Sequence, residues 1–505
     1  MRNSLFSLLA LAVSLFFYAC QEDQRSRQTD TQSVYINVKA KHLASDTVKV
    51  LTFDMLSGKS NILAEVTLDS LGKGEMDMKL AHGLFAILDY QLTEQEQLKS
   101  NQLYLEPGDS LTITIDGAAP KQPLSFEGEG AEVNNYLAGS FLVRQPFFRS
   151  GGKFIWELEQ QAFLDRLDSI RYSMDSFLQR YADSVDMDAE MRALMEKRNE
   201  IDVLKEEASY AFLLQNDFVV KAISNGETVG AYQLPEAFSS VYQRVPYDSN
   251  LMKKQMPDYA FLLQRSMDAT VAYPLYYGTS AEERENLHKQ MPSMIDSLIR
   301  TQYDQAKFSD YFLAWNISSW MDRKGISPDI DSLYHQFLKN NSNSPYLTSL
   351  EEKYDRWMAI STGSPAPDFY GTTPEGERLA LSDLKGKVVY IDVWATWCGP
   401  CREEFPASIA LRQELAEEED VSFLYVSVDN NKSAWLEYLE EHPDLIGTHM
   451  HNDVNEEEAS IWKKYMLTGI PRYILIDREG RIQDPEADRP SSGKVADQIY
   501  ALLNQ

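Results

Sequence analysis

The first part of the chain alternates hydrophobic and polar residues at every second position. Turn residues such as Gly72, Gly83 and Pro107-Gly108-Asp109 separate the alternating segments. In a strand, successive side chains point to opposite faces, so alternation at every second position gives one apolar and one polar face. Short strands between turns are typical of two packed sheets. The pattern predicts an antiparallel β-sandwich over residues 34–130. Its predicted strands are Tyr35–Val38, Val48–Leu51, Ala64–Thr67, Leu84–Ile87 and Leu111–Thr114.

From residue 131 to residue 360 the hydrophobic period lengthens to three or four residues. This spacing puts apolar side chains on one face of a helix, so the sequence predicts an α-helical domain over 131–360. Pro235, Pro246 and Pro257 interrupt the pattern. The predicted helices are Phe154–Tyr181, Ala189–Leu214, Ala281–Phe308 and Ser332–Trp357.

A third pattern covers residues 361–505. The apolar run Val388–Val393 predicts a buried strand, and helical periodicity follows from Cys398 to about Glu417. Val421–Asp429 predicts a second strand and Arg472–Asp477 a further one, with a helical insertion over Asn430–Met450. Strands that alternate with helices indicate an α/β domain.

Composition narrows the class of protein. The chain has 505 residues, of which 43% are hydrophobic and 25% charged, as in folded, water-facing proteins of two to four domains. Its net charge of −29 argues against binding of nucleic acid or anionic lipid through a basic face.

The N-terminus has the features of a signal peptide over residues 1–19. Arg2 precedes an apolar run, Leu5–Phe17, which is too short to span a bilayer, and Ala19 stands before Cys20. Small or apolar residues that end at a cysteine resemble a bacterial lipoprotein signal. The resemblance implies a lipid on Cys20, a flexible tether over 20–33, and anchoring to an envelope membrane without a membrane-spanning helix. The alternative is an ordinary cleaved signal peptide with an unmodified Cys20.

The chemistry centres on cysteine, because the chain has only Cys20, Cys398 and Cys401. The sequence Trp394-Ala395-Thr396-Trp397-Cys398-Gly399-Pro400-Cys401 joins the predicted strand to the predicted helix. A helix N-terminus favours a thiolate, so Cys398 is the predicted attacking group and Cys401 the resolving one. A zinc site would need further ligands at suitable spacing, and we expect no metal, including at His449 and His451.

This motif, together with the downstream Gly469-Ile470-Pro471, resembles the TlpA/ResA-type thiol-disulfide oxidoreductases of the AhpC/TSA superfamily. The resemblance implies a thioredoxin fold over 361–505 and a redox-active disulfide as the only redox group, without a cofactor. It also implies that Ile470-Pro471 is a cis-proline loop, Asp392 a buried acid that assists proton transfer, and Glu404 an acidic residue near the site. The expected substrate-binding residues are Trp397, Gly399, Pro400, Ile470 and Pro471.

The N-terminal domain carries a weaker resemblance. A Leu-Glu-Pro-Gly-Asp-Ser-Leu turn, Phe126-Glu127-Gly128 and Asn134-Asn135-Tyr136-Leu137 resemble a domain of unknown function that precedes thioredoxin-like domains in envelope lipoproteins. It implies no chemistry for this region.

Gly399-Pro400 and Ile470 resemble thioredoxin, a reductant. We therefore expect an envelope enzyme that reduces disulfides in exported client proteins, apocytochromes c among the candidates, with electrons from a membrane thiol donor. The alternatives are a disulfide oxidase or isomerase, a thiol peroxidase, and a binding or scaffold lipoprotein. In the middle region, an aromatic groove that holds a client is a further hypothesis.

Overall fold

The computed structural model describes residues 31–504 except 55, 57–59, 92–98, 120–122, 151–152, 304–305 and 454–458. It divides into two compact units, one of residues up to Ser280 and one from Ala281 to Gln505. The predicted fold class, with an N-terminal β-sandwich, a helical middle region and a C-terminal thioredoxin fold, is confirmed. The predicted signal peptide and Cys20 lie outside the described residues.

The first unit begins with eight strands in two four-stranded sheets. Their orders are β4-β1-β7-β8 and β3-β2-β5-β6, and every pair is antiparallel except β1 with β7. Alternate residues such as Val34, Ile36 and Val38 point into a shared core. The last two residues of the predicted tether, Gln32 and Ser33, belong to β1, where Gln32 pairs with Leu80. The strands are β1 Gln32–Lys41, β2 Thr47–Phe53, β3 Ser60–Thr67, β4 Lys73–Leu80, β5 Leu84–Tyr90, β6 Lys99–Leu105, β7 Ser110–Asp116 and β8 Leu124–Glu129.

Helices fill the rest of the first unit. Asp188 begins the longest helix by accepting hydrogen bonds from the N–H groups of Glu190 and Met191. The predicted Phe154–Tyr181 helix instead starts at Gln160, because residues 155–157 form a separate 3₁₀ turn. The elements are α1 Ala131–Arg144, the short hairpin β9 Arg149–Ser150 and β10 Lys153–Phe154, α2 Gln160–Val185, α3 Ala189–Ser224, α4 Ser249–Lys253 and α5 Tyr259–Met267.

A cluster of buried charges stabilises this helical part. Asp202 pairs with Arg144 and, at 3.5 Å, with Arg198, while Lys205 lies 2.7 Å from Glu206 and 3.7 Å from Asp258. Burial raises the pKa of Asp202, but the positive charges of Arg198, Arg144 and Lys205 outweigh it and hold that pKa below its ordinary value.

The second unit opens with four helices: α6 Ala281–Gln302, α7 Ala306–Lys324, α8 Pro328–Asn340 and α9 Leu347–Ala359. Two predicted helices were wrong in extent. The helix predicted over Ala281–Phe308 ends at Gln302 in the structure, although the apolar periodicity of the sequence continues into α7. Ser332–Trp357 is split, because Asn341 to Pro345 favour a turn and Pro345 has no N–H to donate. The predicted middle domain thus contributes helices to both units, and its boundaries stay predictions.

A seven-stranded sheet follows, in the order β12-β11-β15-β14-β13-β16-β17. Its centre is parallel from β13 to β15, and β16 runs antiparallel to β13. The predicted insertion over Asn430–Met450 holds only one short helix, and its end forms β15. The elements are β11 Tyr370–Thr372, β12 Arg378–Ala380, β13 Val388–Trp394, α10 Gly399–Glu414, β14 Val421–Ser427, α11 Lys432–Glu441, β15 Thr448–His451, α12 Ile461–Lys464, β16 Arg472–Ile476, β17 Ile482–Asp484 and α13 Val495–Leu503.

Among the described residues, none of the helices combines the length and the apolar character needed to cross a membrane.

Candidate active site

The two cysteines lie at the start of α10, where the sequence predicted them. Cys398 is the N-cap, and its Sγ accepts a hydrogen bond from the N–H of Cys401 at 3.2 Å. Pro400 fits the first turn because that position needs no N–H donor. The cysteines form a disulfide with their Cα atoms 5.3 Å apart. Cys398 keeps 4% of its surface exposed and Cys401 none, so an incoming molecule reaches Cys398 first.

A β-turn presents this cysteine pair. The N–H of Cys398 donates to the carbonyl of Ala395 at 3.0 Å, which closes a turn with Thr396 and Trp397 at its centre. Trp397 is 65% exposed, whereas Trp394 at the end of β13 is fully buried. The turn therefore offers an exposed indole directly beside Cys398, and a substrate-binding role for Trp397 stays a prediction. Gly399 and Pro400 follow at the first helical positions.

Asp429 holds the turn in place, and sequence reasoning missed it. Its buried carboxylate accepts from the Thr396 N–H at 2.9 Å and from the Thr396 hydroxyl at 2.7 Å. A third hydrogen bond comes from the Ser427 hydroxyl at 2.9 Å. Asp429 lies just beyond β14, whose partner strand β13 ends at the same edge. The available signal was an acid as the last residue of the predicted strand Val421–Asp429, which ends at Ser427 in the structure.

The predicted proline loop lies at this edge too. The Ile470–Pro471 peptide bond is cis, as predicted, and both residues are partly exposed. Arg472, the next residue, pairs with Val393 near the end of β13. Because β13 and β16 are antiparallel, the end of β13 and the start of β16 meet, which brings the loop and the cysteine turn to one edge of the sheet.

Asp392 is a buried acid without a neutralising partner. It lies on β13, and neither carboxylate oxygen has a hydrogen-bond partner among the described residues. Asp392 and Trp394 share one face of the strand, and Trp394 packs edge-on against Phe405 of α10 at 5.0 Å. Asp392 therefore faces the helix that carries the cysteines. Burial, followed by the negative charge of Glu404, raises the pKa of Asp392 well above its usual value.

Glu404, which the family resemblance put near the site, is buried on α10. Its carboxylate accepts from the N–H of Ser491 at 3.1 Å and from the Ser491 hydroxyl at 2.9 Å. Arg489 lies 3.7 Å away. The negative charge of Glu404 contributes to the raised pKa of Asp392. Neither Ser491 nor Arg489 was predicted from the sequence.

Three tyrosines surround the acid. Tyr390 and Tyr473 stack with ring centres 5.6 Å apart, and Tyr425 lies opposite Asp392 on β14. Burial, with a contribution from the charge of Asp392, raises the pKa of each above its usual value. All three hydroxyls thus stay neutral. Burial beside these neutral rings is the larger cause of the raised pKa of Asp392, and the charge of Glu404 is the smaller one.

His449 and His451 make main-chain hydrogen bonds. Their Nε2 atoms donate to the carbonyls of Leu445 at 2.8 Å and Asp429 at 2.7 Å. Within the described part of the chain, no group of three or more His, Cys, Asp or Glu residues is arranged to hold a metal ion.

The same part of the chain matches known proteins. Residues 361–499 match the protein family Redoxin. Over 128 residues the chain is 32% identical to "Thiol-disulfide oxidoreductase ResA" of Bacillus subtilis, covering 25% of this chain and 66% of that protein. It is also 32% identical over 132 residues to "Thioredoxin-like protein YneN" of Bacillus subtilis, covering 25% of this chain and 72% of the relative.

Among solved structures, the chain is similar to the thioredoxin domain of a thiol-disulfide oxidoreductase from Bacteroides vulgatus. It is 26% identical, covers 29% of this chain and 96% of that domain, and has a TM-score of 0.25.

A cysteine pair at a helix N-terminus, a cis-proline loop and a buried acid define a thioredoxin-like redox site. Through residues 361–499 the chain belongs to the Redoxin family of thioredoxin-like, ResA-type proteins. It is a thiol-disulfide oxidoreductase.

Proposed function

We propose that this enzyme reduces disulfides in exported client proteins, with Cys398 as the attacking and Cys401 as the resolving cysteine. The observation that carries the proposal is the cysteine pair at the start of α10, with Cys398 the more accessible sulfur. Reduction is favoured over oxidation by Gly399-Pro400 and Ile470, which resemble the corresponding residues of thioredoxin. A stable disulfide relative to the dithiol makes such a pair a reductant.

The reaction begins with the Cys398 thiolate. It attacks one sulfur of the client disulfide, forming a mixed disulfide and releasing the other client sulfur as a thiolate that takes up a proton. Cys401 then loses its proton and attacks the Cys398 sulfur. This step releases the second client sulfur and leaves the Cys398–Cys401 disulfide. Two electrons and two protons from a membrane thiol donor restore the dithiol, and the donor becomes a disulfide.

Asp392 serves the second attack. A carboxylate with a raised pKa is a stronger base, so proton transfer to it from the Cys401 thiol is less uphill. Neither oxygen has a hydrogen-bond partner in the part of the chain that the structure describes, so both are able to take that proton. The negative charge of Glu404, whose carboxylate accepts hydrogen bonds from Ser491, adds to the effect of burial on the pKa of Asp392.

The client lies along the edge that carries the turn and the proline loop. Trp397, Gly399 and Pro400 contact the peptide around the client disulfide, and Ile470 and Pro471 pair with its backbone. The exposed ring of Trp397 supports this assignment. The predicted N-terminal signal supports a location at the envelope of a bacterium, with a lipid on Cys20 as the anchor. Apocytochromes c are one class of exported client, which links the enzyme to cytochrome assembly.

The reduction potential of the full chain tests the direction. Equilibration with glutathione buffers, followed by quantification of free thiols, measures it directly. We expect a value near −270 mV, about that of thioredoxin. A value near −120 mV, about that of a strong oxidant, would instead establish the disulfide-oxidase alternative.

A trapping experiment tests the clients. Cys401→Ser cannot resolve the mixed disulfide, so we expect it to accumulate adducts with exported proteins in cells. Cys398→Ser is the matched control and should trap none. Equal, empty yields from both variants would contradict the assignment and favour the scaffold alternative.

A further inference from the structure

Arg472 directly follows Pro471 and is held on two sides. Its side chain is almost fully buried, and its Nη1 lies 2.6 Å from a carboxylate oxygen of Glu486. Its guanidinium also lies over the ring of Trp357, 6.0 Å from the ring centre. An arginine with both contacts has little rotational freedom, because the planar group is fixed by charge on one side and by an aromatic face on the other.

Trp357 belongs to α9, which precedes the redox domain. It is 1% exposed. Gly325, the residue after α7, lies beside the ring: a Cβ added at Gly325 would lie 3.6 Å from it, an ordinary van der Waals distance. Gly325 also has φ of +62°, which disfavours other residues. The buried indole therefore lies beside the residue that follows α7 and beneath the guanidinium of Arg472.

A second set of charges joins the same elements. Burial raises the pKa of Asp484 and of Glu486, and positive charges from Arg472 and Lys324 oppose the rise at both groups. Lys324 is the last residue of α7 and Arg472 the first of β16. Two cations, one from each side, thus face one pair of carboxylates.

The connection to the redox domain is bound to the same strand. The Gly363 N–H donates to the Ile482 carbonyl at 2.6 Å, and the Ile482 N–H donates to the Ser364 carbonyl at 2.9 Å. Ala366 donates to Gly480 at 2.9 Å. The exit from α9 is consequently fixed along β17, one strand away from the strand that begins with Arg472.

We propose that Arg472 is a positioning residue for the Ile470–Pro471 loop, and that the helical segment Ala281–Ala359 sets the client-binding geometry of that loop through Trp357. The proposal rests on the proposed function, since it assigns the loop to client binding. Small disulfides need only the cysteine pair. A protein disulfide also needs the loop, so the helical segment distinguishes the two kinds of substrate.

The test compares reduction of a protein disulfide, oxidised insulin, with reduction of a small one, 5,5′-dithiobis(2-nitrobenzoate), by the full chain. Arg472→Met and Trp357→Leu should each raise KM for insulin about three- to tenfold, the range expected for one lost buried cation–π contact. Neither should change kcat/KM for the small disulfide. Trp357→Phe, which keeps an aromatic face, should retain most of the wild-type KM.

Two controls make the result specific. Arg478→Met removes another arginine–carboxylate pair, with Asp420 at 2.9 Å, beyond the far end of β16 and should leave both substrates unaffected. Lys353→Met removes a buried ion pair with Asp322 inside the helical segment and should lower thermal stability without changing the ratio between substrates.

Parallel losses for both disulfides, or an unchanged ratio in Arg472→Met and Trp357→Leu, would overturn the positioning role. If the wild-type protein reduces neither disulfide, the proposed function itself fails, and that outcome is distinct.

Discussion

Asp202 in the first unit and Asp392 in the second are both almost fully buried, with 5% and 1% of their surfaces exposed. Asp202 is surrounded by Arg144, Arg198 and Lys205, and its pKa lies below the ordinary value. Asp392 has no cation and no hydrogen-bond donor among its described contacts, and its pKa lies well above that value.

The difference separates a structural charge from a reactive one. Partners fix the charge of Asp202, so it holds helices together and does not exchange its proton in the ordinary range. Asp392 has no such partners among the described residues, and burial of an unpaired carboxyl group destabilises the folded protein. A destabilising buried acid of this kind indicates a functional role. The four predictions below test this contrast, beginning with the largest expected effect.

Asp202→Asn should destabilise the protein most. It removes the negative charge shared by two buried arginines, and breaking a buried pair in this way costs about 3 to 5 kcal/mol. Calorimetric unfolding should show the loss, while alkylation of reduced Cys398 in the folded protein stays unchanged. Asp183→Asn is the control, because its pair with Arg192 is exposed and should be worth less than about 1 kcal/mol. Equal losses in both variants would contradict the structural role.

Asp392→Asn should do the reverse. It should keep or slightly raise stability at neutral pH but slow resolution of the mixed disulfide about 100-fold, at the low end of what general base catalysis contributes. Single-turnover reduction of a protein disulfide measures that step. Asp368→Asn, which removes a carboxylate bonded to Ser382 on the surface, should leave the rate unchanged. A stable variant with wild-type resolution would remove Asp392 from the mechanism.

The pH dependence of stability should differ in sign at the two sites. The folded pKa of Asp392 is raised, so its favourable contribution is full below about 3.8 and is lost as pH rises through the folded pKa, by at most about 1.4 kcal/mol per unit. The folded pKa of Asp202 is lowered, so its contribution is present above about 3.8 and is lost as pH falls through that pKa.

Denaturant unfolding across pH, with each Asn variant subtracted from wild type, gives both curves. The free energy of unfolding of wild type minus that of Asp392→Asn should fall as the pH rises. The free energy of unfolding of wild type minus that of Asp202→Asn should shrink as the pH falls. If both differences in free energy changed with pH in the same direction, the pKa values of Asp392 and Asp202 would not be shifted in opposite directions, which would contradict the comparison.

Glu404→Gln should have the smallest effect. Removing its charge lowers the pKa of Asp392, so the pH–rate profile of the resolving step should move down by less than about one unit. Glu403→Gln is its neighbour on α10 but exposed, and should leave the profile in place. A shift of the same size in both would show a general charge effect.

Sequence reasoning predicted the residues whose chemistry depends on local order. Cys398 and Cys401 are placed by one turn of helix, and Pro471 by a short motif before a strand. Asp392 was identified by the family resemblance, because it stands six residues before Cys398 on the strand that leads to the cysteine turn. In each case neighbouring residues along the chain carry the information.

The supporting contacts escaped prediction because they join distant segments. Thr396 and Asp429 are 33 residues apart, and Glu404 and Ser491 are 87 apart. Their pairing depends on which strands become neighbours, and hydrophobic periodicity does not encode strand order. Helix ends were missed for a related reason, since the apolar period passes from α6 into α7 without a change of pattern.

The bonds between Gly363, Ser364 and Ile482 bear on how the protein is cut into working pieces. A fragment that starts at residue 361 keeps those bonds but loses the indole over which the guanidinium of Arg472 lies. It then exposes the partly apolar surface that the indole covered. It also lacks Lys324, one of the two cations that act on Asp484 and Glu486. We expect such a fragment to be less soluble than one that starts at residue 281, so the natural module for expression, crystallisation and domain exchange includes the four preceding helices.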